Sequence, residues 1–237
     1  MIDVKIYGSS SAGNCYEISC NGRSLLLETG VPFKKLTNSN FNNFDGCLIS
    51  HEHGDHIQYA HQFVAKTGID LYMSKGTHEG LEDSNFKSVP SYRVKHLKAL
   101  NQRKIVNWNI LPFDTQHDVN EPLGFLIQSE QNDKILFATD TYYIKYNFKG
   151  ITHMLIECNY AMDILEKNME MNRVNKNVGN RVITSHFELS NVKKFIKSCD
   201  LSKLQAVWLL HLSDSNSNAE RFKREIQAIT GVPVYIA

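Results

Sequence analysis

The stretch Ser50-His51-Glu52-His53-Gly54-Asp55-His56 directly follows the apolar run Gly46-Cys47-Leu48-Ile49. Imidazole nitrogens and carboxylate oxygens are ligands of zinc and neighbouring metals. In an extended segment the side chains of His51 and His53 point to the same side. A helix that begins at Asp55 would bring Asp55 and His56 back toward these two histidines. Four such donors exceed what one open tetrahedral centre needs, which predicts two adjacent metal ions. The alternative is a polar loop whose histidines cluster by chance.

The length of 237 residues and the formal net charge of +1 limit the classes of protein to which this chain can belong. This length is sufficient for a single α/β domain over residues 1–237, and the charge gives no global field that favours nucleic acid or a membrane. The chain begins without a signal-like segment and has no membrane-spanning apolar run, which predicts a cytoplasmic protein. An odd number of cysteines without CxxC spacing predicts free thiols in a reducing compartment. The cysteines are Cys15, Cys20, Cys47, Cys158 and Cys199.

Three further candidate ligands, His117, Asp140 and His211, each stand near the end of a predicted strand. A rigid sheet holds such residues while the loops expose them. Taken alone, His117 would more often be a satisfied polar residue. Asp140 could instead cap a helix or turn within Thr139-Asp140-Thr141.

The pattern of apolar residues and turn residues predicts a mixed α/β fold in which strands and helices alternate. The predicted strands are residues 4–7, 15–18, 24–27, 46–49, 70–73, 105–111, 124–128, 134–138, 153–157, 181–184 and 205–210. The predicted helices are residues 57–66, 76–82, 161–171, 191–197 and 219–229. We interpret Gly8–Asn14 as a strand-joining turn, because it lacks the lysine and the following helix of a nucleotide loop. Its hydroxyls or backbone N–H groups could still bind a substrate phosphate.

The motif His51-x-His53-x-Asp55-His56 resembles the signature of the metallo-β-lactamase superfamily. This resemblance implies a four-layer αββα sandwich, whereas the pattern alone would also allow other mixed α/β folds. It implies two divalent metal ions; zinc is favoured, and manganese stays open because such donors accept both. By resemblance, one metal is held by His51, His53 and His117, the other by Asp55, His56 and His211, and Asp140 bridges them.

Several other segments are similar to the YycJ-type subgroup of this superfamily along nearly the whole chain. They are Gly8–Asn14, His117-Asp118, Pro122-Leu123-Gly124, Thr139-Asp140-Thr141, Glu157–Tyr160 and Leu189-Ser190-Asn191. More distantly, His186 and His211-Leu212-Ser213 resemble the phosphodiesterase branch that includes tRNase Z. The subgroup often has a histidine immediately before Leu-Ser-Asn, where this chain has Glu188. Whether His186 or Glu188 faces the scissile group is therefore open.

The implied chemistry is hydrolysis of a phosphodiester by a metal-bridging hydroxide. In this hypothesis Asp55 and Asp140 hold and orient the hydroxide. His186 donates a proton to the leaving oxygen or binds a non-bridging oxygen. Glu157 either orients a histidine or pairs with a surface cation.

The substrate is less constrained than the reaction. Superfamily members that open β-lactams or thioesters commonly lack the aspartate of the motif or are secreted, and the chain has no basic arm for tRNA. The compactness and charge of the chain favour small substrates, 3′,5′-cyclic mononucleotides (cCMP, cUMP, cAMP, cGMP). In this respect the chain resembles the phage anti-Pycsar enzymes, and this resemblance implies that the protein acts in the host cytoplasm. The alternative is a YycJ-like or RNase Z-like DNA or RNA nuclease. A metal-bound binding protein without turnover is less favoured, because all seven ligand candidates are present. Base rates allow a homodimer, and no membrane partner is expected.

Overall fold

The computed structural model describes residues 2–36 and 40–237. Its strands belong to two β-sheets and its helices are interspersed with them along the chain, which confirms the predicted mixed α/β class. The chain divides into two compact units. Unit 1 comprises Met1–Asp114 and Val119–Asp133, and unit 2 comprises Thr115–Asp118 and Lys134–Ala237. A single domain over residues 1–237 stays a prediction.

Unit 1 contains a six-stranded sheet whose strands follow one another in chain order. The first three strands are antiparallel and the next three join in parallel. Asn21 and Gly22, with φ of 51° and 76°, form the two-residue turn between the second and third strands, as an Asn-Gly pair predicts. The strands are β1 (Asp3–Gly8), β2 (Cys15–Cys20), β3 (Arg23–Leu27), β4 (Phe44–Leu48), β5 (Leu71–Met73) and β6 (Val94–His96).

Helices α1 (Gly54–Ile57), α2 (Ala60–Thr67) and α3 (Lys75–Glu82) also lie in unit 1. The predicted helix 57–66 is thus divided between two elements. Helix α2 ends at Gly68, whose φ of 68° gives the left-handed cap that glycine adopts without strain. Its buried Phe63 belongs to one apolar cluster with residues of β3, β4 and β5. Short 3₁₀ turns lie at Phe33–Lys35, Phe41–Asn43 and Ser91–Arg93.

Three antiparallel strands complete unit 1, namely β7 (Arg103–Ile105), β8 (Trp108–Asp114) and β9 (Leu123–Gln128). The prediction of one strand over residues 105–111 is wrong. Ile105 pairs with Trp108 across a tight turn in which Val106 has a φ of 48°. The apolar run conceals this turn because valine, a β-former, occupies a conformation that usually selects glycine or asparagine.

Unit 2 is built on four parallel strands, β10 (Lys134–Ala138), β11 (His153–Glu157), β12 (Ala206–Leu210) and β13 (Val234–Ile236). They lie side by side in the order β13-β12-β11-β10. Every residue of β11 is buried, as the continuous apolar run of a central parallel strand indicates.

Helices α4 (Met162–Glu170), α5 (Lys176–Ser185), α6 (Leu189–Ser198) and α7 (Ala219–Thr230) belong to unit 2. The predicted strand 181–184 is wrong, because these residues form the last turns of α5. Asn175 caps the start of this helix, and buried Gly179 packs so closely on Met169 that a β-carbon would overlap its sulfur. A short apolar run does not distinguish a strand from a helix by its period alone.

The cysteines and the apolar character of the helices bear on two of the sequence predictions. All five cysteines are free, as their number and spacing predicted, and all five are also buried. In the described part of the chain, no helix has both the length and the apolar character needed to cross a membrane.

Candidate metal centre

The histidine-rich motif occupies the connection between β4 and α1 in unit 1. His51 and His53 lie in the loop, and the backbone of His53 is extended (φ −61°, ψ 144°) where α1 begins. His56 lies in α1 with its side chain buried. The ring centroid of His51 is 4.9 Å from that of His53 and 4.1 Å from that of His56. The strand-to-helix path predicted from the sequence thus gathers the three imidazoles.

Asn14, in the turn between β1 and β2, forms hydrogen bonds with the histidine-rich motif. Its Nδ2 lies 3.1 Å from Asp55 Oδ2 and 3.1 Å from His56 Nε2. Its backbone N–H donates to the carbonyl oxygen of Asp55 at 2.7 Å. Gly30 permits this close packing, because a β-carbon there would overlap the Asp55 carbonyl oxygen. The strand-joining interpretation of Gly8–Asn14 is therefore right, and the turn has an additional role that the sequence reasoning missed.

Glu28, directly after β3, contacts the motif from another side. It is fully buried, it accepts a hydrogen bond from the Ser50 N–H at 3.1 Å, and its Oε2 lies 3.6 Å from His56 Nδ1. Burial raises the pKa of Glu28, while the nearby His56 imidazole opposes that rise. Carboxylates beside metal-ligating histidines fix the orientation of the ring. The only sequence signal for Glu28 was its position at a strand end.

Unit 2 gathers four donors, three of them at the carboxyl ends of its parallel strands and the fourth, His186, directly after α5. One ligand atom of each of Asp140, Glu157, His186 and His211 lies within 4.8 Å of the others. Asp140 and His211 follow β10 and β12, and Glu157 ends β11, so the parallel strands bring them to one edge of the sheet. Asp140 and His211 have positive φ values of 41° and 52°. Such conformations cost about 1–3 kcal/mol each and cluster at functional sites.

Glu157 connects the members of this cluster. Its Oε1 accepts from His186 Nδ1 at 2.6 Å and from His211 Nδ1 at 3.3 Å. Its Oε2 accepts from the backbone N–H groups of Thr141 at 2.9 Å and Phe187 at 3.1 Å. The carboxylate is fully buried. Of the two roles left open by the sequence, Glu157 therefore orients histidines and does not pair with a surface cation.

The charges of the cluster shift the pKa values of its members. Burial disfavours the imidazolium of His211, but Asp140 and Glu157 outweigh burial and raise its pKa to about 10. Burial likewise opposes the charged form of His186, and Glu157 raises its pKa above the ordinary value. For Glu157 itself, burial is outweighed by His186 and His211, so that its pKa is lowered. These shifts favour an ionised Glu157 carboxylate beside the imidazolium forms of His186 and His211.

His117 lies beside Asp140 in unit 2. Its Nδ1 donates to the carbonyl oxygen of Ser185 at 2.9 Å, and its Nε2 is 3.9 Å from Asp140 Oδ2. No helix begins in the described residues 141–152, and Asp140 Oδ1 instead accepts from the Thr139 hydroxyl at 2.7 Å. The alternative of Asp140 as a helix cap is thereby removed.

The choice between His186 and Glu188 is decided by their partners. Glu188 caps α6, since its Oε2 accepts from the N–H groups of Ser190 at 2.6 Å and Asn191 at 3.1 Å. His186 instead contacts Glu157, and its side chain retains 20% of its exposure. His186 is therefore the residue of this pair that belongs to the cluster.

The donor set of each unit fits a divalent metal. Imidazole with carboxylate suits zinc and also manganese, and Glu157 supplies the outer hydrogen bonds that hold ligating histidines in place. The cluster of histidine and aspartate can therefore bind metal ions, and its donors do not select one of the two metals.

Comparisons with known proteins agree with this chemistry. A family model described as a beta-lactamase superfamily domain matches residues 24–211. The exodeoxyribonuclease WalJ of Streptococcus pneumoniae is 27% identical over 229 residues, which cover 91% of this chain and 83% of WalJ. The exodeoxyribonuclease YycJ of Bacillus anthracis is 22% identical over 240 residues, or 96% of this chain and 89% of YycJ.

A solved structure shows the same fold. The metallo-beta-lactamase fold protein YhfI from Bacillus subtilis superposes with a TM-score of 0.70 at 17% identity, covering 100% of this chain and 97% of YhfI. The predicted αββα fold class is therefore confirmed. The chain belongs to the beta-lactamase superfamily of metal-dependent hydrolases, in its YycJ-like branch.

Proposed function

We propose that this protein is a metal-dependent phosphodiesterase that removes nucleotides from the ends of DNA. The observation that carries the proposal is His186, held by the buried carboxylate of Glu157 beside Asp140. This arrangement supplies a proton donor next to a metal-binding carboxylate. Two sequence relatives named as exodeoxyribonucleases support DNA as the substrate.

The proposed centre holds two divalent ions, zinc or manganese. In this proposal His51, His53 and His117 would hold one ion, Asp55, His56 and His211 would hold the other, and Asp140 would be a ligand of both. The motif and the donor atoms that each unit presents support this assignment. Bound ions of this kind lower the pKa of a shared water toward neutrality and stabilise charge on the phosphorus.

The protein's own side chains orient the reactants and move the proton. Glu157 accepts from His186 Nδ1, so the remaining proton of the imidazolium lies on Nε2. The Glu157 carboxylate raises the pKa of His186 and thus favours this imidazolium over the neutral ring. His186 then protonates the leaving oxygen of the DNA strand, a role that contributes about 10²–10⁴ in rate. Asp55 and Asp140 orient the attacking oxygen.

Cyclic mononucleotides are the second candidate substrate. A net charge of +1 suits a small substrate, and their hydrolysis breaks the same kind of bond. The two relatives nevertheless move the preferred substrate from cyclic mononucleotides to DNA. Phage origin remains part of the cyclic-nucleotide hypothesis alone, and a cytoplasmic location remains a prediction from the sequence.

The test measures hydrolysis of 5′-labelled single- and double-stranded DNA and RNA, and of cCMP, cUMP, cAMP and cGMP, with Zn²⁺ or Mn²⁺ added. We expect shortening of DNA, at least about 100-fold slower in Asp55→Ala and in His186→Ala. Asp3→Ala removes an exposed aspartate of β1 and should retain full activity.

Hydrolysis of cyclic nucleotides with intact DNA would establish the second candidate instead. RNA cleavage with intact DNA would indicate an RNase Z-like enzyme. Metal binding without hydrolysis of any phosphodiester would direct attention to thioesters, lactams or a binding function.

A further inference from the structure

A groove in unit 2 lies next to the metal-binding cluster along the chain. It has a volume of about 440 Å³ and runs between the loop after Asp140 and helix α6. Tyr142, Tyr143 and Lys145 form one wall, and Asn191 and Lys194 form the other. This volume is within the range of sites that bind small molecules or single nucleotides, about 300–1,000 Å³.

The two walls of the groove are anchored to the same carboxylate that orients the catalytic histidine. Glu157 Oε2 accepts from the N–H of Thr141, directly before Tyr142, and from the N–H of Phe187, directly after His186. The Thr141 hydroxyl donates to the Tyr143 carbonyl oxygen at 2.9 Å. Short backbone segments therefore link the groove to the cluster, and the tyrosine loop is held by hydrogen bonds.

The chemistry of the groove matches a nucleic-acid strand. Tyr142 and Tyr143 retain 38% and 55% of their exposure, so their rings are accessible from the groove. Its charged lining residues are the cations Lys145 and Lys194, and none of the described residues that line it is acidic. Exposed rings with adjacent cations are the two parts of a single-strand binding surface, because bases stack on the rings and phosphates pair with the cations.

We propose that this groove binds the single-stranded end of a DNA substrate, with bases stacked on Tyr142 and Tyr143 and phosphates paired with Lys145 and Lys194. The inference rests on the proposed nuclease function and extends it by naming the residues that hold the strand. Stacking on two tyrosines favours a single strand, because in a duplex every base face except the outer face of the terminal pair is covered by a stacked neighbour. The groove thereby selects frayed or unpaired ends, while the cluster cleaves the adjacent bond.

The test separates binding from cleavage. A short fluorescent oligothymidine is titrated with the full-length protein in EDTA, and its anisotropy gives the dissociation constant. Tyr142→Ala/Tyr143→Ala should weaken binding by about tenfold or more, and the corresponding double Phe variant should restore it, since the ring is kept. Tyr92→Ala removes a tyrosine that is 70% exposed in unit 1 and is the matched control.

Two further readouts report directly on the proposed stacking and ion pairing. Fluorescence of 2-aminopurine at the strand end should be quenched by the wild-type protein and by the Phe variant, but not by the Ala variant, because quenching requires stacking. Lys145→Ala/Lys194→Ala should reduce the slope of log K against log salt by about 0.7 for each phosphate that is no longer neutralised. Lys167→Ala/Lys203→Ala removes two exposed lysines of unit 2 and should leave the slope unchanged.

The outcomes distinguish the groove from the proposed function. The wild type could cleave DNA while the tyrosine variants show the same strand binding and the same KM as the wild type. This result would contradict strand binding by the groove and leave the proposed nuclease function intact. Strand binding that depends on the tyrosine rings, without cleavage of DNA, would support strand binding by the groove and contradict the proposed nuclease function. Absence of single-strand binding, or tighter binding of duplex that does not depend on the tyrosines, would also overturn the groove.

Discussion

At the scale of single residues, Glu157 determines the protonation of the cluster. Replacement of Glu157 by Gln removes the negative charge that holds His186 as an imidazolium. A general acid is active below its pKa, so activity falls as the pH rises through that value. The pKa of His186 should fall in Glu157→Gln, and the alkaline limb of kcat/KM should move to lower pH. The pH profile of DNA hydrolysis measures this shift.

Glu166→Gln, at an exposed position of α4, is the matched control for this experiment. Its pH profile should coincide with that of the wild type. An unchanged alkaline limb in Glu157→Gln would mean that His186 is not the proton donor.

Asn14 gives a second prediction at the residue scale. Because its Nδ2 contacts both Asp55 and His56, Asn14→Ala should leave these two proposed ligands less well oriented. Removal of such outer hydrogen bonds typically lowers metal affinity by about 10- to 100-fold. Competition with a fluorescent chelator measures the affinity for zinc. Asn42→Ala, at an exposed position, should keep the wild-type value; equal affinities in both variants would contradict the role of Asn14.

At the scale of elements, Glu188 tests the distinction between a helix cap and a catalytic group. Its carboxylate accepts from two N–H groups at the start of α6, and loss of an N-cap costs about 0.5–2 kcal/mol. Glu188→Ala should lower the free energy of unfolding by that amount in urea titrations. The activity of the folded Glu188→Ala variant should be retained, whereas the folded His186→Ala variant should lose activity. The reverse pattern would exchange the roles of the two residues.

At the scale of the whole molecule, the buried thiols give a prediction about reactivity. Burial raises the pKa of Cys15, Cys47 and Cys158 well above the ordinary value. Only the thiolate is nucleophilic, and these sulfurs are inaccessible to a reagent in water. A disulfide reagent at mildly alkaline pH should therefore modify these thiols slowly in the native protein and rapidly in denaturant. Rapid modification of all thiols without unfolding would show that the described packing opens readily.

The amino-acid sequence alone determined the local features on which the fold depends. Asn21-Gly22 predicted a hairpin, the apolar run at residues 153–157 predicted a buried strand, and residues 50–56 predicted a loop that leads into a helix. These structural predictions succeeded because each depends on neighbours along the chain, namely turn conformation and side-chain alternation. Metal binding by residues 50–56 stays a prediction.

Only the tertiary structure decided which distant side chains meet. The Glu157 carboxylate connects His186 with His211, 54 residues further along the chain than Glu157, and Asn14 contacts Asp55 at a separation of 41. No local pattern encodes such pairs. Residues 181–184 show the same dependence on distant contacts. Their short sequence is compatible with a strand or a helix, and in the helix that forms, Gly179 packs on Met169 of α4. The groove with Tyr142 and Lys194 likewise exists only because packing brings two separate segments together.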